Sequence, residues 1–317
     1  MTTAASHPPT ASLSSAWSAL PPAYAIPDHA PSEAEAREYC RRLARSHYEN
    51  FSVASWFLPE KLRQHFFNVY AYCRIADDLG DEVGDTAASL ELLDQWETEL
   101  DACYDGHPRH PVFVALAETV RQFEIPKHEF SDLLTAFRQD QRISRYETFD
   151  DLLGYCQNSA NPVGHLVLYL CGYSDPERQQ LSDYTCTALQ LANFWQDVTA
   201  DFAKGRIYLP LEDLRRFGVT EGTIGDGQNT AAFRELLEFE VERAREWFAQ
   251  GMPLIAKVDG ALALDIELFS RGGQEILNAI ERQHYAVLGR RPAISKARKL
   301  ALVARAALGK LLGKQKR

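Results

Sequence analysis

The chain has 317 residues, 45% hydrophobic and 25% charged, which excludes a disordered, collagen-like or coiled-coil sequence and suits two domains or one large helical one. Its net charge of −10 is uneven, because Arg282 to Arg317 hold eleven Lys/Arg and no acid, leaving residues 1–281 at −21. A body so acidic argues against a phosphate-backbone binder, so no nucleic-acid partner is expected, and it suits a protein that gathers divalent cations.

Apolar stretches such as His165–Cys171 fall far short of the ~18–20 residues of a membrane span. The N-terminus has no basic start leading into an apolar block, so no signal peptide is expected. The six cysteines form no C-x-x-C pair, which suggests neither a zinc ribbon nor a disulfide scaffold and fits reduced thiols in the cytoplasm.

Residues 1–31 hold six prolines and almost no charge and read as a flexible tail. Ser32 with Glu35 makes a capping box that opens a helix over Ala34–Asn50. Glu60–Arg74 continues with Leu62, Phe66, Val69 and Tyr70 at the spacing of a buried helical face. Further helical patterns cover Ala88–Tyr104, Val112–Phe123, Glu129–Gln141, Phe149–Cys156, Val163–Cys171, Glu177–Asp201, Ala231–Gln250 and Ala261–Val287. Glycine and proline mark breaks at 106–111, 172–176, 205–210 and 218–228, and Arg206–Leu209 is the one short β candidate. The pattern is an all-α domain of about ten helices over residues 32–292, without a solenoid repeat.

Two acidic helix faces stand out. In Asp77-Asp78-Leu79-Gly80-Asp81-Glu82, Asp77 and Asp81 share one face and Asp78 and Glu82 another. Like charges at i,i+4 repel, and acid at a helix C-terminus opposes the helix dipole. Alone, this is equally well a solvated helix end. The second face is Asn193, Asp197 and Asp201, at i, i+4 and i+8, followed by Lys204, Arg206 and Tyr208. Two oxygen ladders on separate helices suggest a pocket where Asp77, Asp78, Asp81, Asn193, Asp197 and Asp201 hold about two or three Mg²⁺ ions around a diphosphate. Arg74, one turn before Asp78, is a candidate phosphate clamp or an i,i+4 partner of Asp78. A non-catalytic helical protein that binds cations or a partner helix is the competing class, but a surface ladder has no need of the neutral amide Asn193 in register.

These residues carry a family resemblance. Tyr70-Ala-Tyr-Cys-Arg74-Ile-Ala-Asp77-Asp78-Leu-Gly-Asp81 and Gln190-Leu-Ala-Asn193-Phe-Trp-Gln-Asp197-Val-Thr-Ala-Asp201, with Lys204-Gly-Arg206-Ile-Tyr208-Leu-Pro210, resemble the two aspartate motifs of the squalene/phytoene synthase family. Arg145-Tyr146 through Tyr155 to Pro162-Val163-Gly164 resembles that family's mid-chain motif. The resemblance covers roughly residues 40–300. It implies the α-helical isoprenoid (terpenoid) synthase fold, with a central cavity and Mg²⁺-dependent chemistry on a prenyl diphosphate. By the same match, Asp77, Asp81, Asn193, Asp197 and Asp201 are the catalytic set. Tyr70, Tyr155, Val163 and Gly164 would border a prenyl tunnel, and Gln190, Arg206 and Tyr208 would meet substrate. Phe51 is a further candidate for the cavity wall. Arg290 or its neighbour Arg291 occupies the place where relatives put a phosphate-contacting cation.

Within the family the chain most resembles the bacterial hydroxysqualene synthase branch of hopanoid biosynthesis, through Glu49–Pro59, Ser159–Gly164 and Asn193–Asp197. Carotenoid-forming relatives usually carry arginine before the central aspartate of the second motif; here it is Gln196. That loss of a cation fits an enzyme that processes one diphosphate. The implied substrate is the C30 compound presqualene diphosphate and the implied product hydroxysqualene, with water ending the reaction. The alternatives within the family are presqualene diphosphate, squalene or phytoene-type synthases. With no G-x-G-x-x-G after a strand and no P-loop lysine, no NADPH is expected.

Beyond the catalytic domain, residues 293–317 place Leu300, Val303, Ala304, Ala307, Leu308, Leu311 and Leu312 on one helical arc, with Arg298, Lys299, Arg305 and Lys310 off it. A basic amphipathic helix of this kind lies on an anionic membrane surface, so a cytoplasmic enzyme peripheral to the inner face of the membrane is expected. Packing on the acidic body is the competing reading. Other enzymes of the same pathway are candidate partners.

Overall fold

The computed structural model describes residues 20–46, 59–295 and 298. They form an all-α assembly, as expected. In chain order the helices are α1 (Glu33–Ser46), α2 (Glu60–Asp81), α3 (Thr86–Asp105), α4 (Pro111–Gln122), α5 (His128–Asp140) and α6 (Phe149–Ser159). They continue with α7 (Asn161–Leu170), α8 (Pro176–Ala203), α9 (Leu211–Arg216), α10 (Glu221–Gly225), α11 (Ala231–Gly251) and α12 (Gly260–Arg282). Short 3₁₀ turns at Pro22–Tyr24 and Met252–Lys257 complete the described chain. Two helices, α9 and α10, were not expected from sequence; each is under two turns, too short to show a period.

Helix ends follow local chemistry. Ser32 Oγ donates to Glu35 Oε2 at 2.7 Å and accepts from the Glu35 amide at 3.4 Å, the expected box. Thr148 and Asp151 cap α6 reciprocally, and Asp85 and Asp175 accept from the first-turn amides of α3 and α8. Gly106 stops α3 in the left-handed region at φ 87°. The β candidate at 206–209 reduces to one bridge, Arg145 with Ile207, because its partner strand is a single loop rather than a sheet edge.

The core has two halves, each built around one long helix. In the first, Tyr72, Ile75 and Leu79 of α2 are fully buried with Trp96 of α3, Phe113 of α4 and Phe130 of α5. In the second, Leu191, Trp195 and Val198 of α8 pack with Phe233 and Leu237 of α11, Leu152 of α6 and Ile280 of α12. Helix α7 contributes Leu166 and Leu170 to the first half and lies against α8 through Gly164.

One correction concerns the N-terminus. Composition assigns residues 1–31 to a flexible tail, yet Leu20 and Tyr24 are buried in the first core half. Tyr24 donates to Asp78 at 2.7 Å, and Tyr39 of α1 donates to the Ala23 carbonyl at 2.7 Å. A few well-placed apolar side chains outweigh the proline-rich composition that reads as a tail. Residues 1–19, the stretch 47–58 with Phe51, and 299–317 of the expected C-terminal helix lie outside the described residues.

Where α12 crosses α11 and α8, Gly273 has no room for a side chain: a Cβ there would stand 2.4 Å from Phe248 Cζ and 2.8 Å from Leu189 Cδ2. Gly273→Ala is therefore expected to destabilise the fold by about 1–3 kcal/mol. The check is a lower denaturant midpoint at unchanged slope.

Candidate active site

The end of α2 and the second half of α8 carry the two acidic faces. On α8, the residues between the ladder positions (Phe194, Trp195, Val198) are buried, which forces Asn193, Asp197 and Asp201 outward along one side. On α2 the aspartates divide. Asp77 and Asp81 face the site, whereas Asp78 turns into the protein, where it is 5% exposed.

Asp78 departs from its expected place among the metal donors. Arg74 Nε donates to its Oδ2 at 3.1 Å, Arg74 Nη2 to its Oδ1, and the Tyr24 hydroxyl also to Oδ2. A carboxylate so bound has little left for an ion. Of the two readings for Arg74, phosphate clamp or i,i+4 partner of Asp78, the structure shows the second: its fork is spent on Asp78, and it approaches Asp77 Oδ2 at 3.7 Å.

The site is short of positive charge at two carboxyls. Burial and then Asp81 push Asp77 up to about 6. Burial and then Asp197 push Asp201 up to about 7, although Lys204 and Arg206 pull it down. Cations already stand at the other two. Lys204 Nζ and Arg206 Nη2, from the turn after α8, reach Asp81 at 3.5 and 3.1 Å. Gly205, at φ 80°, makes that turn possible, and its carbonyl accepts from Arg145 Nη1 at 2.6 Å.

Sequence reasoning missed Asp140. It ends α5 beside Arg206, accepts from the Tyr155 hydroxyl at 2.9 Å and is pushed up to about 6 by burial. Its other oxygen is buried with no hydrogen-bond partner. Burial alone would lower Arg206; Asp140, Tyr208 and Asp81 together hold it above its ordinary value. No spacing rule points to a single aspartate at a helix end.

Tyr155 is also placed differently from expectation. It belongs to an aromatic layer under the acidic site, with Tyr208 stacked on Phe194 at 3.8 Å between centroids and Tyr146 on Tyr208 at 5.8 Å. The apolar cavity lies elsewhere, between α2, α7, α8 and α12. It holds about 330 Å³ and is lined by Tyr70, Val163 and Gly164, as expected, together with Phe66, Leu189 and Phe269. Val163 (42% exposed) and Phe269 (44%) stand where it meets solvent. Gly164 is required by close approach, since a Cβ would lie 2.3 Å from Ser182 Oγ and 2.6 Å from Cys186 Sγ of α8. Gln190 is half-buried one turn before Asn193.

The ambiguity between Arg290 and Arg291 resolves toward Arg291. Arg291 Nη2 donates to Asp197 Oδ2 at 2.8 Å, and its Nε to Oδ1. Arg290 is exposed and has no ion pair with either ladder.

The donor chemistry, hard carboxylate and amide oxygens on two facing helices, fits Mg²⁺ at Asp77, Asp81, Asn193, Asp197 and Asp201, and not at Asp78. Among the described residues no three His, Cys, Asp or Glu side chains form a ready-made metal cluster. Mg²⁺ commonly takes one or two carboxylates and completes its shell with water and substrate phosphate.

Comparison with known proteins matches residues 44–298 to the squalene/phytoene synthase family. The chain is 33% identical to a phytoene synthase of Arthrospira platensis over 267 residues, covering 80% of this chain and 86% of that protein. It is 31% identical to the 15-cis-phytoene synthase of Synechocystis sp. over 278 residues, 84% of this chain and 82% of the relative. Among solved structures, squalene synthase HpnC from Alicyclobacillus acidocaldarius superimposes with a TM-score of 0.76 at 45% identity, covering 85% of this chain and 98% of that one. A dehydrosqualene synthase in complex with ligand gives 0.78 at 28% identity, covering 87% and 96%.

The raised carboxyl of Asp201 has a consequence for stability. Its folded value, about 7, lies above the ~3.9 of an unfolded aspartate, so its stabilising, protonated form is fully present below pH ~4 and lost as pH rises through 7. Asp201→Asn should therefore raise the Tm of the metal-free protein at pH 8, with the gain vanishing below about pH 4. Thermal melts across that range check it.

Proposed function

This chain belongs to the squalene/phytoene synthase family, and within that family we propose that it converts presqualene diphosphate to hydroxysqualene, with loss of diphosphate and capture of the carbocation by water. The observation that carries this reading is Gln196. A neutral, buried amide stands immediately before Asp197, and the nearest cation comes from Arg291 of the C-terminal segment. The positive charge on the α8 side is thus modest, which suits one diphosphate better than two. The 45% identity to squalene synthase HpnC, against 33% to a phytoene synthase, supports a squalene-type C30 member of the family.

In this reading Asp77 and Asp81 on one side, and Asn193, Asp197 and Asp201 on the other, hold the Mg²⁺ ions. When bound, Mg²⁺ neutralises the diphosphate and makes it a better leaving group. Lys204 and Arg206, already between the two helices at Asp81, are placed to turn toward phosphate oxygens. Departure of diphosphate takes the electron pair of the breaking C–O bond. The hydrocarbon rests in the apolar cavity, where the rings of Phe66 and Tyr70 exclude bulk water and face the cation with their π electrons. The cyclopropylmethyl cation left behind rearranges and breaks a ring C–C bond to become an allylic cation. A water oxygen then bonds to the allylic carbon and gives up one proton, so no hydride donor is needed.

The phytoene synthases among the relatives favour a second reading, condensation of two prenyl diphosphates. One experiment separates them. Presqualene diphosphate in ¹⁸O-labelled water with Mg²⁺ should yield a labelled C30 alcohol without NADPH. Turnover of farnesyl or geranylgeranyl diphosphate alone to a hydrocarbon or to presqualene diphosphate would replace the proposal with the second reading.

The C-terminal segment extends the proposal to the membrane. A C30 substrate and its product partition into bilayers, and each Lys/Arg near an anionic surface contributes about 1 kcal/mol. Among the described residues no helix is long and apolar enough to span a membrane. Deleting residues 296–317 should weaken co-sedimentation with anionic vesicles while sparing turnover of detergent-dispersed substrate. Equal sedimentation of the truncated and full-length proteins would discard the membrane role.

A further inference from the structure

After α12 the chain makes a short strap, residues 288–295, that runs along α8. Its fixed points are side chains. Asn229 exchanges two hydrogen bonds with Leu288, at 2.9 and 3.1 Å. The Gly289 amide donates to Thr199 Oγ1 at 3.1 Å, and Gly289 turns the chain at φ 84°. Gln196, 6% exposed, uses both ends of its amide: Nε2 donates to the Pro292 carbonyl at 2.6 Å and Oε1 accepts from Arg291 Nη2 at 3.0 Å. The same guanidinium then grips both oxygens of Asp197.

We propose that Gln196 is a positioning residue that holds Arg291 over Asp197 as an exchangeable cation, so that a divalent ion binds there by displacing Arg291 and loosening the strap. This rests on the reading of Asp197 as a cation ligand and adds how access to it is set.

The two halves of the contact differ in permanence. The Gln196–Pro292 bond is buried and shielded from competing water, so breaking it leaves polar groups unsatisfied. The Arg291 side chain is 60% exposed, and an ion pair so open contributes little. One end is therefore an anchor and the other a movable arm. With one lone pair of each Asp197 oxygen held by the guanidinium fork, a divalent ion there would share the carboxylate with a like charge, so the two cations compete for it. Glutamine is suited to position 196 because it both donates and accepts. An arginine there has donors only and cannot accept from Arg291. The choice of residue at 196 thus decides whether the cation beside Asp197 is fixed on the helix or carried by the strap. Carried by the strap, it is free to leave Asp197 and still remain within the site. By reciprocity, if a bound divalent ion favours the loosened strap, the loosened strap binds that ion more tightly by the same factor.

The test uses the full-length protein and Mn²⁺ as probe, titrated with and without inorganic pyrophosphate, alongside hydrogen exchange of the peptide containing residues 289–295. Arg291→Gln removes the arm, and Gln196→Met removes the anchor at similar volume. Both should bind Mn²⁺ about three- to fivefold more tightly than wild type, the size of one exposed ion pair. Arg291→Lys should return toward the wild-type affinity. Mn²⁺ should speed exchange of the strap in wild type, and Gln196→Met should show fast exchange without metal. A residue of purely structural importance would lower Tm without tightening Mn²⁺. If wild type binds Mn²⁺ and turns over, yet Arg291→Gln binds it equally and the strap does not respond, the latch is wrong and the functional reading stands. If wild type takes up no Mn²⁺ even with pyrophosphate, both fall together.

Discussion

The structure depends on keeping two acidic helix faces opposite each other. Five outward oxygen-bearing side chains, four of them carboxylates, crowd the ends of α2 and α8; burial first, and then the neighbouring carboxylates, displace Asp77 and Asp201 upward. Neither helix could hold such a face if its own stability were marginal. Each is instead the central helix of its own half of the core, buried on the opposite side by Tyr72, Ile75 and Leu79 in α2 and by Leu191, Trp195 and Val198 in α8. Burial of a large apolar side chain contributes roughly 1.5–3 kcal/mol, against a few tenths per repelling i,i+4 pair, so the packing decides where the carboxylates stand.

The remaining repulsion is answered by cations delivered from loops. Lys204 and Arg206 come from the turn that ends α8 and reach across to Asp81, while Arg291 comes from the strap beyond α12. Arg74 answers from within α2, but to the buried Asp78, in a unit closed by Tyr24 from the N-terminal segment. Lys204 and Arg291 stand open to solvent and can exchange partners, whereas Arg206 and Arg74 are mostly buried. The site therefore has a permanent ion pair behind it and a set of removable ones in front, an arrangement suited to a doubly charged ion that arrives and departs with its phosphate.

Much of this was legible in the sequence because it is periodic. The Asn193–Asp197–Asp201 ladder, the Asp77/Asp81 pair and the Ser32–Glu35 box are all set by helical spacing, and the all-α fold follows from the same rhythm. What escaped was non-local. Asp140 meets Arg206 across 66 residues of chain, Tyr24 meets Asp78 across 54, and Gln196 meets Pro292 across 96; no window of sequence contains both partners. Asp78 shows the limit of spacing itself. It lies next to Asp77 and one helical turn from Arg74, and only the position of Tyr24 and the first core half settles that it points inward. Tyr155 was assigned to the cavity wall by motif, yet its hydroxyl is drawn to Asp140 and its ring to Tyr146 and Tyr208.

That placement of Tyr155 makes sense of the layering. Tyr146, Tyr208 and Phe194, stacked in turn, and Tyr155, tilted against all three, form a layer of rings beneath the carboxylates, between them and the aliphatic interior of the second core half. Carboxylates set against a wholly aliphatic wall would lose solvation with nothing in return. Tyrosines offer hydroxyls toward the acid, as Tyr155 does to Asp140, and apolar faces toward Leu152 and Leu191. The same economy operates at the other boundary, where Tyr70 stands one turn before Arg74 on α2 and lines the apolar cavity. Aromatic residues with one polar end thus mark where the charged site stops and the apolar cavity begins. The two regions can lie close together without the carboxylates being stranded in an apolar wall or the cavity being flooded.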